Sequence, residues 1–92
     1  MDVFKALSHP VRRKILVMLR ERPHTAGELS SAFDLSKPTL TGHFAKLKEA
    51  KLVFSDKHQT TITYRINLTV LEEVMLGFMG TMNIEHGGKS NE

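Results

Sequence analysis

The run Ser36-Lys-Pro-Thr-Leu-Thr-Gly-His-Phe-Ala-Lys46 gathers two threonines, an imidazole and two lysines around one glycine. On a helix turning about 100° per residue, Leu40, Phe44 and Leu47 fall within about 60° of each other and form a buried stripe. Pro38, Thr39, Gly42, Ala45, Lys46 and Glu49 then occupy the opposite side, with Thr41 and His43 on its flanks. Small residues allow close approach to a groove, threonine and histidine can bond base edges, and lysines neutralise phosphates. N–H groups of the first turn, opened by a Ser36 cap, offer a further place for a phosphate. A merely solvated face would carry the same threonines and lysines. Gly42 weighs against it, because a mid-helix glycine costs roughly 1 kcal/mol relative to alanine.

Other chemistry is poorly represented. The chain has no cysteine, which excludes disulfides, thiolate metal sites and cysteine nucleophiles. Its histidines, His9, His24, His43, His58 and His86, are scattered, and Glu28-Leu-Ser-Ser31 offers no soft donor. Glu72 and Glu73 lie 13 and 12 residues from Glu85, too far apart for a hard-metal site on one helix face. No phosphate-cradling glycine loop, nucleophile elbow or paired-carboxylate pocket is visible, and Glu21, Glu28 and Asp34 fall at helix ends or exposed faces. The expectation is a non-enzyme with no metal and no cofactor.

Composition points the same way. Ninety-two residues, 40% hydrophobic and 25% charged, fit one globular domain with a modest core. The longest apolar run, Ile15 to Leu19, is far short of a membrane span, and the opening Met1-Asp-Val-Phe-Lys5 lacks a secretory pattern. A cytoplasmic chain without membrane insertion is expected. Charge is uneven: residues 1–54 hold ten Lys/Arg against five Asp/Glu, and residues 55–92 hold three against five. A basic first part suits an acidic partner, with double-stranded DNA the foremost candidate.

The elements that must position the run are readable in order. Val3, Phe4 and Leu7 give a short helix stopping at Ser8-His9-Pro10, where Ser8 is expected to cap the next helix. Val11, Ile15, Met18 and Leu19 form its buried stripe, and it should end before Pro23. Thr25-Ala-Gly-Glu28 has the capping-box pattern and opens a helix reaching about Asp34. Two short helices about ten residues long, joined near Leu35, have helix-turn-helix spacing. From Leu52 the period becomes alternating, and Ile62, Tyr64 and Ile66 alternate with polar residues. Lys57-His58-Gln59-Thr60 is the polar tip of that hairpin, a wing. Thr69-Val-Leu-Glu72 reads as a second capping box, opening a last helix through about Met82.

The last helix is too apolar for one contact. Leu71, Met75, Phe78 and Met82 form a seam, and Val70, Val74, Leu76 and Met79 widen it past half the circumference. Core packing explains one stripe; a second copy of the chain explains both. Val3, Phe4, Leu7, Leu71, Val74, Met75, Phe78, Met79 and Met82 are the expected dimer interface. Its methionines also suit an adaptable surface for a protein antirepressor or effector.

Phe4-Lys-Ala-Leu-Ser-His-Pro-Val-Arg-Arg-Lys-Ile-Leu16 resembles the opening of the ArsR-type winged-helix repressors. Leu35-Ser-Lys-Pro-Thr-Leu-Thr-Gly-His-Phe44 is similar to their recognition helix, and Leu47-Lys-Glu-Ala-Lys-Leu-Val53 to its exit into the wing. The resemblance runs from about Val3 to Leu68 and is nearest the SdpR-like branch without the metal-binding motif. It implies a homodimer that binds a palindromic operator and represses transcription. Where such proteins commonly read serine-histidine-histidine, this chain has Thr41-Gly42-His43, and His9 stands in place of their usual aspartate.

The expected fold is therefore α+β, a mostly helical winged helix-turn-helix with a two-stranded β-hairpin wing, dimerising through its terminal helices. Residues 1–82 form the domain and 83–92 a flexible tail. The recognition helix, about 37–50, enters the major groove, and the wing, about 52–67, meets the flanking backbone. Ser36, Lys37, Pro38, Thr39, Thr41, Gly42, His43, Lys46, Lys57, His58 and Gln59 are the candidate DNA-binding residues. A metal- or small-molecule-responsive regulator, or a winged-helix module for protein–protein contact, are the alternatives.

Overall fold

A computed structural model describes residues 2–84. The expectation of a tail over residues 83–92 lies outside the described residues from 85 onward, as do Glu85 and His86. Five helices and three strands follow in the order α1 (Val3–Leu7), α2 (Pro10–Glu21), β1 (His24–Thr25), α3 (Ala26–Ser31), α4 (Lys37–Glu49), β2 (Val53–His58), β3 (Thr61–Ile66) and α5 (Leu68–Thr81).

Each helix begins at a side chain that satisfies a free N–H. The Thr25–Glu28 capping box is present in both directions, with Thr25 Oγ1 accepting from the Glu28 N–H and Glu28 accepting from the Thr25 N–H. Two expected caps move. α2 is capped by His9, whose Nδ1 accepts from the Val11 N–H at 3.1 Å, while the Ser8 hydroxyl donates back to the Lys5 carbonyl and closes α1. Pro10 at the first position of α2 lacks an N–H, so the residue directly before it takes the N-cap place. α5 is capped by Asn67, which accepts from the Val70 N–H, so Thr69 stands inside the helix rather than before it. Asparagine is the stronger cap, and its position directly after β3 starts the helix two residues early.

The sheet has one strand more than the hairpin. β2 and β3 pair antiparallel from Val53 opposite Ile66 to His58 opposite Thr61, and β1 adds to the free edge of β3 with His24 opposite Tyr64. The expected two-stranded wing is thus part of a three-stranded sheet. Pro23 and the extended N-cap Thr25 hold the connection straight for two residues, too short a stretch for periodicity to reveal. α3 ends at Ser31, earlier than expected, with its C-cap Ala32 bonded back to Leu29 and Ser30. α4 runs 13 residues.

Ile15, Leu16, Leu19, Leu29, Leu40, Phe44, Leu47, Leu52, Val53 and Tyr64 make the core. Phe44 and Tyr64 meet with ring centroids 4.7 Å apart, fastening α4 to the middle strand. α5 has no fully buried residue; only Val70 and Leu71 at its start pack on the core.

α4 ends in a Schellman motif: the Leu52 N–H bonds the Leu47 carbonyl, the Lys51 N–H bonds Lys48, and Lys51 has φ of 62°. A lysine in that left-handed region costs about 1–2 kcal/mol. Glycine there loses about 0.5–1 kcal/mol of that gain to its freer unfolded chain. Lys51→Gly is expected to raise stability by about 0.5–1 kcal/mol in urea unfolding. A destabilised variant would mean that the lysine side chain holds something the backbone does not explain.

Candidate nucleic-acid interface

α3, the turn and α4 present one outward surface. The inner side of α4 is closed, with Leu40 1%, Leu47 0% and Phe44 6% exposed. That leaves Lys37, Pro38, Thr39, Thr41, Gly42, Ala45 and Lys46 exposed, as the sequence pattern requires. A methyl group added at Gly42 would have no atom within 4 Å, so nothing inside the molecule demands glycine there.

Ser36 serves the helix first. Its Oγ accepts from the Thr39 N–H at 3.3 Å and donates to Thr39 Oγ1 at 2.9 Å, fixing the Thr39 side chain. Pro38 lacks an N–H and the Leu40 N–H bonds the Ser36 carbonyl. Of the first-turn N–H groups among the described residues, only that of Lys37 stays open, fewer than the expected phosphate site offers.

His43 departs from the expectation of an outward flank. It is 9% exposed, its Nδ1 lies 3.1 Å from Arg12 Nη1, and its ring meets that of His9 with centroids 4.4 Å apart. Arginine only donates, so Nδ1 accepts and the ring proton of neutral His43 sits on Nε2. Burial first, then the neighbouring His9 and Arg12, hold its pKa below the ordinary value. Helical phase alone placed His43 beside the outward half; a partner 31 residues earlier turns it inward.

The wing carries its expected residues. Lys57 and His58 end β2, Gln59 and Thr60 form a two-residue turn, and all four are exposed. Gln59 has φ of 57° and is the only one of the two with positive φ, the sign pattern of a II′ turn. On the outer face Arg65 lies over the Phe54 ring at 5.2 Å and bonds Asp56 at 3.1 Å.

Between wing and α3 runs a groove of about 360 Å³ that begins beside Lys37 and is lined by Thr25, Gly27, Ser30, Thr60 and Thr61. These hydroxyls were not among the sequence candidates. The Thr60-Thr61 pair at the turn was the available signal, but its meeting with α3 depends on how the wing folds back.

On the terminal helices, Val3 and Leu7 pack partly on the core, whereas Phe4 is 46% exposed and meets the Phe78 ring in a tilted contact with centroids 5.2 Å apart. Val74, Met75 and Met79 are half-buried and Phe78 and Met82 exposed. Leu71 faces the core. Among the described residues no three His, Asp or Glu side chains converge as metal ligands, and no helix is long and apolar enough to cross a membrane.

A helix-turn-helix whose second helix leads into a hairpin is a winged helix. Comparisons with known proteins agree. Residues 7–53 match the family described as a helix-turn-helix domain. The transcriptional repressor SdpR of Bacillus subtilis is 37% identical over 89% of this chain and 91% of its own length. The crystal structure of an ArsR family transcriptional regulator superposes with a TM-score of 0.74 at 26% identity, covering 90% of this chain and 89% of that one. HlyU from Vibrio cholerae gives 0.72 at 30% identity over 86% of both chains. The chain belongs to the ArsR-type winged helix-turn-helix transcriptional repressors. That family consists of DNA-binding regulators, which is not an enzyme class.

Because the space beside Gly42 is empty, Gly42→Ala should stabilise the isolated protein by about 1 kcal/mol through helix propensity alone. Urea unfolding measures this. No gain would reveal a backbone demand at that position.

Proposed function

We propose that the protein is a homodimeric repressor that binds a palindromic operator, with α4 in the major groove and the wing on the flanking backbone. Residues 1–82 act as one DNA-binding and dimerisation unit in the cytoplasm. The observation that carries this reading is the two-sided α4: an inner face locked in the core and an outer face of exposed Lys37, Thr39, Thr41, Gly42 and Lys46. Thr39 and Thr41 are the base readers, with Gly42 allowing close approach. Lys37, Lys46 and Lys57 meet phosphates, and Thr60 and Thr61 of the wing groove accompany them. His58 and Gln59, exposed at the tip, touch the flanking groove.

A second copy is called for by the apolar surface. Of the nine exposed large hydrophobics among the described residues, six (Phe4, Leu68, Leu76, Phe78, Met82 and Ile84) lie on or directly after the terminal helices. One recognition helix reads few base pairs, and two related by a two-fold axis reach half-sites about 34 Å apart.

The reading is tested by selecting bound duplexes from a randomised pool. The expected product is a two-fold symmetric site with half-sites about one helical turn apart. Recovery of random sequence would sink the proposal. On the selected duplex, Lys37→Ala, Lys46→Ala and Lys57→Ala should each lower the salt slope of binding by roughly 1. A triple variant with unchanged affinity across salt would mean that DNA does not lie along this face.

The dimer has its own test. Met75→Glu with Phe78→Glu brings two carboxylates per subunit to the apolar seam, where unpaired charge is costly. Sedimentation should show a monomer, and titration should show lost selectivity with a weak, salt-sensitive attraction retained. A double variant that remains dimeric places the seam elsewhere; a selective monomer removes the paired-reader mechanism.

A further inference from the structure

Arg12 stands in the first turn of α2, yet its guanidinium is spent on two other helices. Nε donates to the Ala6 carbonyl at 2.7 Å and Nη2 to the Lys5 carbonyl at 3.2 Å, both in α1. Nη1 lies 3.1 Å from Nδ1 of His43, in the middle of α4. The Ala6 carbonyl and the Lys5 carbonyl, which already accepts from Ser8, are thus tied through one rigid fork to the helix that carries Thr39, Thr41 and Lys46.

The surroundings are basic. His9, from the α1–α2 corner, meets the His43 ring at an interplanar angle of 53°, and its own Nδ1 is committed to the Val11 N–H. Asp2 and Lys5 of α1 and Lys46 and Glu49 of α4 line a cleft of about 270 Å³ beside Arg12. β2, also packed on α4, commits Asp56 to Arg65 and carries Lys57 towards the wing tip. Among the described residues no carboxylate forms an ion pair with His9, Arg12 or His43. A proton on His43 would remove the acceptor of the Arg12 bond and set a second cation against the Arg12 guanidinium.

We propose that Arg12 is a positioning residue for α4. It fixes the angle between the recognition helix and the terminal helices only while the His43 ring is neutral. The inference rests on the reading of α4 as the DNA-recognition helix. The sign follows from linkage: with the pKa of folded His43 held below its ordinary 6.5, the contact is complete above that value. It is lost as pH falls from there through the folded value.

Two measurements separate the contact from the reading it rests on. Without DNA, ring-nitrogen NMR of the full chain should show neutral His43 with its proton on Nε2 and a depressed pKa. A proton on Nδ1 or an undepressed pKa overturns the Arg12 contact whatever the DNA result. With the duplex selected from the randomised pool, Arg12→Lys should weaken binding roughly tenfold or more while leaving a scrambled duplex nearly unaffected. Equal loss on both duplexes makes Arg12 a phosphate contact and overturns the proposal.

The pH profile is the readout that ordinary packing would not move. His43→Asn keeps an acceptor near the Nδ1 position and does not titrate. The affinity of the unaltered protein relative to this variant should be constant above the ordinary histidine value of 6.5 and fall as the pH is lowered from there through the His43 pKa that NMR records. A constant ratio across that range, while NMR shows His43 titrating, overturns the proposal. His9→Asp retains an N-cap and sets a carboxylate beside the pair, so it should move the loss of selective binding along with the His43 pKa. If His43→Asn fails to fold, His9→Asp decides alone: an altered His43 pKa with an unmoved binding profile overturns the proposal.

Discussion

Leu40 and Leu47, 1% and 0% exposed, together with Phe44 against Tyr64, set where α4 lies, and the outward surface depends on that packing. A helix of 13 residues has little stability of its own, so its orientation comes from the face it buries. Three apolar side chains, a Ser36 cap at one end and a Schellman turn at the other fix position, direction and length together. The opposite face then needs no internal partner and can carry small and cationic groups. Burial on one side is what makes exposure on the other specific.

Charge along the chain overstates what is available to an anion. Of the ten Lys/Arg in residues 1–54, Arg12 and Arg13 close the end of α1, Arg13 Nη1 donating to the Leu7 carbonyl. Lys14 lies over the Phe33 ring at 5.8 Å, and Arg22 pairs with Glu28. Lys37 and Lys46 on α4, and Lys57 on the wing, have no such engagement among the described residues and remain exposed. The sequence total indicated an acidic partner, and only the fold separates the cations that hold the molecule together from those it presents.

What could be read from the sequence was local. The Thr25–Glu28 box, the Ser36 cap, the core stripe of α4 and the alternation of β3 each depend on residues within a few positions, so spacing revealed them. The outward positions of Thr39, Thr41, Gly42 and Lys46 followed from the same helical phase. The misplacements came where two local solutions competed. Ser8 and His9 both precede Pro10, and Asn67 and Thr69 both precede apolar helix, so composition alone could not choose. His43 was read as an outward flank because its contact with Arg12 spans 31 residues, and the wing groove was missed because α3 and Thr60-Thr61 are distant in the chain.

The same logic connects the two ends of the molecule. Phe4 touches Phe78, which brings α1 and α5 together, and the carbonyls closing α1 are held by the guanidinium that also meets α4. α1 is five residues long, too short to hold a shape alone, so its geometry belongs to those contacts. The contacts run from α5 to Phe4, along α1 to the Lys5 and Ala6 carbonyls, and through Arg12 to the middle of α4. Apolar contact at one end of this route is tolerant of small movements, whereas the guanidinium fork at the other is strongly directional. The terminal helices and α4 thus meet where three hydrogen bonds converge on one side chain.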